Sequence, residues 1–315
     1  MAQLKKDIKP VAGWSSFLGC TKACSDYLGF NYSFAWLSGI SGYAFLLNMH
    51  PEVCPSSPTA FDNAFMKRNL ETAGLRYEVI NFSKWDGDLQ KKQKQAFEQV
   101  QKALSENHPV FGWELAMPEY YLIAKTDDRG YLFYDFDGSL QHCPWDSIAT
   151  SEIAMGEFCI LSADQAPDPG QQIKTALDFF RTYQNDPSAY ALKGYTMGTP
   201  AYDVWIAALQ TGKFDPWGMA YNTQVWSEAR NSAKAFLGEI KQRLGTDRKY
   251  PALDKAIASY AEVAEALTQV GKLYPFPPQD KVSPENAKQT LNYLSQAQKA
   301  EAAGVKALLE FAGGL

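Results

Sequence analysis

Apolar and polar positions follow two textures along this chain of 315 residues. Up to about residue 162, helical and strand spacings are mixed. Beyond residue 171, nearly every apolar stripe has a helical period. Phe17, Cys20, Cys24, Tyr27 and Leu28 recur at helical spacing after Ser15-Ser16 and stop at Gly29, which predicts a helix with a glycine end. Residues 33–37 lead into Gly39-Ile-Ser-Gly42, expected as a glycine-punctuated turn before the apolar residues 43–47. Residues 76–80 alternate like a strand, a lysine-rich helical stripe runs to about Ser105, and residues 110–115 and 157–161 read as strands.

The stretch ADQAPDPGQ at 163–171 is the best domain boundary, being rich in proline and aspartate. After it, Thr199-Pro200 and Ser283-Pro284-Glu285 look like helix starts, each a hydroxyl followed by proline. Val225, Ala229, Phe236, Ile240 and Leu244 form one apolar stripe, and Leu253, Ile257, Tyr260, Ala264 and Leu267 form another. Gly245 and the prolines at 275–278 interrupt the run, so about five antiparallel helices are expected.

Residues 118–138, PEYYLIAKTDDRGYLFYDFDG, carry the densest local signal. An apolar strand at 121–124, a turn at Asp127-Asp128-Arg129-Gly130 and a returning strand at 131–135 predict a β-hairpin, with Gly130 free to take positive φ. Glu119 and Asp135 place a carboxylate at the end of each strand.

Composition removes whole classes of function. At 46% hydrophobic and 21% charged, with net charge -5, the chain is an ordinary globular protein and lacks the basic balance that nucleic acid requires. The run Lys91-Lys92-Gln93-Lys94 lies on a helical stripe and reads as its solvated face. No segment reaches membrane-spanning length, and the N-terminal residues lack the apolar core of a signal peptide. Five cysteines without an export signal are expected as free thiols in a reducing cytosol.

Several residue groups invite a chemical reading. Cys20 and Cys24 stand four apart on the apolar stripe, as buried small hydrophobes or with Cys20 as a nucleophile. His50 with Cys54, and His142-Cys143, lack the second pair a metal site needs, and no metal or other cofactor is expected. Gly39 and Gly42 lack the lysine-serine pair of a phosphate loop and suggest tight backbone approach. Trp14, Trp36, Trp113 and Glu114 suit either core packing or an aromatic-walled pocket for a cationic or amine-bearing ligand.

Residues 14–45 and 109–135 together resemble the butirosin biosynthesis protein H N-terminal-like family, which is similar to papain-like and bacteriocin-processing cysteine peptidases. Tyr27-Leu28-Gly29, Ser33, Gly39, Gly42 and Phe45 stand at the family's motif positions. The resemblance covers roughly the first half and implies an α+β papain-like domain with an antiparallel sheet over 1–162, while the helical periodicity beyond it gives an all-α helical domain over 163–315. It places the nucleophile at Ser16, or at Ser15 on a register slipped by one. The histidine position falls on Glu119 or Tyr120, and Asp135 matches the residue that orients the histidine. Two of three catalytic identities are therefore changed, and a standard cysteine peptidase is not expected.

Two functions follow from the resemblance. In one, the ancestral cleft binds a small molecule or peptide without turnover, with Trp14, Ser15, Trp113, Glu114 and Tyr120 as ligand-binding residues. In the other, Ser16 or Cys20 carries acyl transfer or amide hydrolysis with Glu119 and Asp135 handling protons. The second implies an acyl carrier protein as a partner. Ser16 as a helix cap is the structural alternative to both.

Overall fold

The computed structural model describes residues 2–245, 249–278 and 283–314. In chain order the first elements are β1 (Ala2–Gln3), α1 (Ser16–Tyr27), α2 (Phe34–Ser41), β2 (Asn48–Met49) and α3 (Ala64–Glu71). There follow β3 (Leu75–Ser83), α4 (Leu89–Ser105), β4 (Val110–Trp113), β5 (Tyr120–Thr126), β6 (Gly130–Tyr134), β7 (Leu140–Pro144) and β8 (Met155–Ala163). The remainder is α5 (Pro169–Asn185), β9 (Thr196–Met197), α6 (Ala201–Thr211), α7 (Pro216–Leu244), α8 (Pro251–Leu273) and α9 (Pro284–Ala312).

The chain divides into two compact units. The first joins residues 1–34 to 74–166, and the second joins 35–73 to 167–315. The C-terminal boundary falls inside the proline-rich stretch, but a single cut at 162 does not describe the chain. Residues 35–73 belong with the helices, because their apolar side chains find partners there. Trp36 is buried with its Nε1–H donated to Gln172 Oε1 at 2.9 Å, and Phe45 packs edge-on to Phe180 and Tyr260.

The first unit is mixed α+β. Its antiparallel sheet has the order β3-β8-β4-β5-β6-β7, with β1 paired to the end of β5. Alternation sends successive side chains to opposite faces. On one face, Phe17 of α1 meets the rings of Tyr77, Phe111 and Tyr120. On the other, Phe97 of α4 meets Tyr131 edge-on, and Tyr131 meets Phe158.

The hairpin is β5 and β6, with a bulge between Ile123 and Lys125. Its turn is held by Asp127, whose Oδ1 accepts the N–H groups of Arg129 and Gly130, each at 2.8 Å. Gly130 does not adopt the positive φ expected of it. It is needed for space instead, since a Cβ there would stand 2.0 Å from the Cys143 carbonyl oxygen of β7.

The second unit is largely helical, with α2 and α3 added to α5–α9 and a two-stranded β2–β9 pair. The segment expected as a turn at 39–42 is the end of α2, closed by Gly42 at φ 87°. A Cβ at Gly39 would meet the Phe236 ring at 2.1 Å, so this glycine lets α2 approach α7. Pro200 rather than Thr199 sits at the cap of α6, without a side-chain bond, whereas Ser283 Oγ caps α9 by accepting the Asn286 N–H at 3.0 Å.

Candidate functional site

Ser15, not Ser16, caps α1. Its extended backbone ends the preceding segment, and its hydroxyl accepts the Leu18 N–H at 3.5 Å. Ser16 is the first helical residue, so its own N–H lies in the turn where amides have no intrahelical acceptor. Its hydroxyl turns away from the helix towards β5. Ser16 Oγ donates a hydrogen bond to Glu119 Oε2 and accepts the Tyr120 N–H at 3.0 Å. The helix start and the strand start, 103 residues apart in sequence, are thus joined by one hydroxyl.

The turn from 114 to 119 sets Glu119 in place. Glu114 follows β4 with φ 58°, a left-handed conformation that costs a non-glycine residue about 1–3 kcal/mol. Its N–H donates to the Glu119 carbonyl at 2.8 Å, closing the turn, and Glu119 N–H donates to Met117 O at 2.7 Å. Glu114 Oε2 is buried without a hydrogen-bond partner among the described residues. Backbone strain therefore sits in the turn that leads into Glu119.

A cavity of about 190 Å³ has Ser16 in its wall, while Glu119 stands behind Ser16 and is not among the lining residues. Residues 10–13, the α1 face of Ser16, Gly19, Cys20 and Ala23, residues 120–122, and residues 134–138 enclose it. Asp135 lies in the same wall as Ser16, with its Oδ1 accepting the Phe136 N–H at 2.8 Å. Tyr121, which the sequence did not single out, is also in the wall, and its oxygen accepts the Met117 N–H at 3.3 Å. Burial first, and then the charges of Asp135 and Glu119, push its phenol up to about 12 against the opposing Met117 bond. It remains protonated at neutral pH.

Cys20 faces the same cavity but is chemically muted. Burial, and then the negative charge of Glu119, push its thiol well above the ordinary range, so it carries almost no thiolate. Cys24 is raised too, by burial and then by Cys20 and Cys159.

Of the ligand-binding residues expected from sequence, only Tyr120 forms part of the cavity wall. Its phenol is buried and donates to Glu157 Oε1 at 2.7 Å, and burial followed by Glu157 raises its pKa. Trp113 packs its ring edge-on against Tyr120 at 5.0 Å, backing the wall rather than lining it. Trp14 and Ser15 precede α1, and Glu114 closes the turn. None of these three lines the cavity.

His142 approaches Asp127 at 3.3 Å at the hairpin tip, and His50 bonds the Glu52 N–H. No histidine lines the cavity. Among the described residues no group of three or more His, Cys, Asp or Glu is placed to hold a metal ion. No helix is long and apolar enough to cross a membrane among those residues. Neither the known protein-family models nor the curated protein sequences match this chain.

Proposed function

We propose that the first unit is a papain-like scaffold whose nucleophile is Ser16 and whose general base is Glu119, and that it catalyses acyl transfer or amide-bond cleavage. One observation carries this reading: the hydroxyl of Ser16, a residue in the wall of an open cavity, donates to the Glu119 carboxylate. A serine hydroxyl is a weak nucleophile until a base within hydrogen-bond reach takes its proton. As Ser16 Oγ bonds to the acyl carbon, its proton passes to Glu119. Collapse of the tetrahedral adduct breaks the bond to the leaving group, and Glu119 returns the proton to it. An amine or water then attacks the Ser16 ester and regenerates the hydroxyl.

The α1 N-terminus favours negative charge and offers the Ser16 N–H to the oxyanion. Asp135 shares the cavity wall with Ser16 and is the residue to which the resemblance gives the orienting role. The weakness of carboxylate as a base is the main demand on this mechanism, since proton transfer must accompany bond formation.

A second reading, ligand binding without turnover, is favoured by the Tyr120 N–H, which already occupies one acceptor site of the Ser16 oxygen. Incubation with a fluorophosphonate and with an activated acyl ester, followed by peptide mass spectrometry, separates the two. Modification of Ser16, absent in Ser16→Ala, is expected. A protein that binds the ester without modification supports the second reading, and selective modification of Cys20 overturns the assignment of the nucleophile.

A further inference from the structure

The Tyr120 N–H reaches the Ser16 hydroxyl because of the way β5 begins. Glu114 N–H donates to the Glu119 carbonyl at 2.8 Å, so residues 114 and 119 extend the β4–β5 ladder as a hydrogen-bonded pair. Such pairs alternate with non-bonded ones along an antiparallel ladder. Trp113 and Tyr120, the next pair, are therefore non-bonded, and the Tyr120 N–H points away from β4. On its other side β6 has already ended. The β5–β6 pairing stops at Ile123–Phe133 on this side, and the chain turns back at Asp135, whose N–H donates to Ser139 O at 2.8 Å. Among the described residues no strand lies beside the Tyr120 N–H, and the Ser16 hydroxyl accepts it at 3.0 Å. The cavity occupies the same gap, with residues 120–122 on one side and residues 134–138 on the other.

The side chain of Tyr120 holds this donor in place. Its ring packs edge-on against Phe17, Phe111 and Trp113 at 5.5, 5.5 and 5.0 Å, and its phenol donates to Glu157 Oε1 at 2.7 Å. Phe17 follows Ser16 on α1, so one ring fixes the start of the strand against the start of the helix. A donor fixed in advance costs no reorganisation when charge develops beside it.

We propose that the Tyr120 N–H is an oxyanion donor that acts together with the Ser16 N–H, and that the Ser16 hydroxyl occupies it only until an acyl carbon arrives. The proposal rests on Ser16 as the nucleophile. In the tetrahedral adduct the oxyanion and Ser16 Oγ are bonded to one carbon. A donor 3.0 Å from the hydroxyl oxygen is therefore within reach of the new negative charge. As the Oγ–carbon bond forms, the carbonyl π pair moves onto its oxygen and the Ser16 proton passes to Glu119. Negative charge thus moves from the carboxylate to the oxyanion and is not added to the site. The charged oxygen is the stronger acceptor, so the Tyr120 N–H turns to it. On collapse the carbonyl re-forms, the bond to the leaving group breaks, and the leaving group takes the proton from Glu119.

The test has three readouts, all on the full chain. In the first, the α-hydroxy analogue of tyrosine is incorporated at position 120, which replaces the N–H by an ester oxygen and keeps the phenol. With folding checked by the thermal midpoint, acylation of Ser16 by an activated ester is expected to slow by about 10²–10³-fold at saturation, with KM changed less than about threefold. In the second, a crystal structure of the wild type phosphonylated at Ser16 is expected to place the phosphoryl oxygen about 2.7–3.1 Å from the nitrogens of both Ser16 and Tyr120. A phosphoryl oxygen turned elsewhere, or an unaltered acylation rate in the ester variant, overturns the role of Tyr120 and leaves the nucleophile in place.

The third readout needs no nucleophile. In Ser16→Ala the Tyr120 N–H loses its acceptor, and titration with N-methylacetamide is expected to move the amide proton resonances of residues 16 and 120 downfield together. Those shifts without acylation of the wild type keep the donor pair and remove the nucleophile. Neither shifts nor acylation removes both.

Discussion

Each unit contains a glutamate joined to a hydroxyl-bearing side chain, and the two differ in burial and in what the hydroxyl borders. In the helical unit, Glu301 is buried and fully used. Arg230 clasps it with Nε at 2.9 Å and Nη2 at 2.6 Å, and the Tyr202 phenol donates at 2.6 Å. Arg230 Nη1 in turn donates to the carbonyls of Ala44 at 3.2 Å and Leu46 at 2.5 Å. Burial opposes the Arg230 charge, but Glu301 and Tyr202 more than offset it, so the guanidinium stays protonated. In the α+β unit, Glu119 is half-buried, and Ser16, which it holds, borders a cavity. A buried carboxylate clasped by a guanidinium and a phenol holds a fold together. A half-buried one that accepts a hydroxyl lying in a cavity wall is placed to take its proton.

The largest expected effect tests the structural half of that comparison. Arg230→Met leaves the Glu301 charge buried without its main partner and removes the tie to residues 44–46. A loss of about 3–5 kcal/mol is expected in urea unfolding, and the double variant Arg230→Met with Glu301→Leu recovers most of it. Ser16→Ala in the other unit costs only about 1–2 kcal/mol by the same measurement, the scale of one hydrogen bond. Equal losses in the two units would erase the distinction.

The catalytic half is broken by Glu119→Gln. The amide keeps an acceptor for the Ser16 hydroxyl but cannot take its proton. Acylation is expected to slow by about 10²–10³-fold, equivalent to about 3–4 kcal/mol of barrier, with stability changed by less than about 1 kcal/mol. The pH profile gives an independent reading. The base must be ionised, so kcat/KM falls on the acid side in the wild type, and that fall is expected to be absent in Glu119→Gln. An unchanged acid limb in Glu119→Gln would assign the base to another group.

A smaller effect probes how residues 35–73 join the helices. In Gly39→Ala the new methyl meets the buried Phe236 ring, and about 1–3 kcal/mol is expected to be lost as that ring is displaced. Alanine at an ordinary helical position stabilises relative to glycine, so a gain in the thermal midpoint would show that α2 has room to move.

The same contrast between local and distant partners decides how much of the fold is legible in the sequence. The hairpin, α4, α7, α8 and the Ser283 cap were legible because their signals are local: alternation, a helical stripe, a hydroxyl before proline. Residues 39–42 read as a turn because the two glycines look like punctuation, whereas the close approach that they also suggest is what the fold uses: they leave space for the rings of Phe236 and Phe179, distant in sequence. Periodicity likewise cannot say which unit buries the apolar residues 43–47, and the answer lies in Arg230, 184 residues beyond Leu46. In the site, Ser16, Glu119 and Asp135 were named from motif positions. Tyr121 and residues 10–13 were missed because nothing in their own sequence marks them. Residues 10–13 are marked only by Gly19, where a Cβ would stand 2.7 Å from the Val11 carbonyl oxygen.

The smallest effect concerns a third carboxylate, Asp127 at the hairpin tip, which separates saturation from burial. Its pKa is lowered, first by the Arg129 N–H and then by the Gly130 N–H and His142, against a modest opposing desolvation. A group held below its unfolded value contributes stability that is complete above the unfolded pKa, about 3.9 for aspartate, and is lost as pH falls through the folded one. The urea midpoint of Asp127→Ala should therefore lie below that of the wild type at pH 7, and the gap should narrow below pH 4. Like Glu301, Asp127 accepts several hydrogen bonds, but water screens its charge, so its removal should leave acylation of Ser16 unchanged and lower stability far less than Arg230→Met. A constant gap down to pH 2 would mean that the side chain acts through packing or turn geometry rather than through its charge.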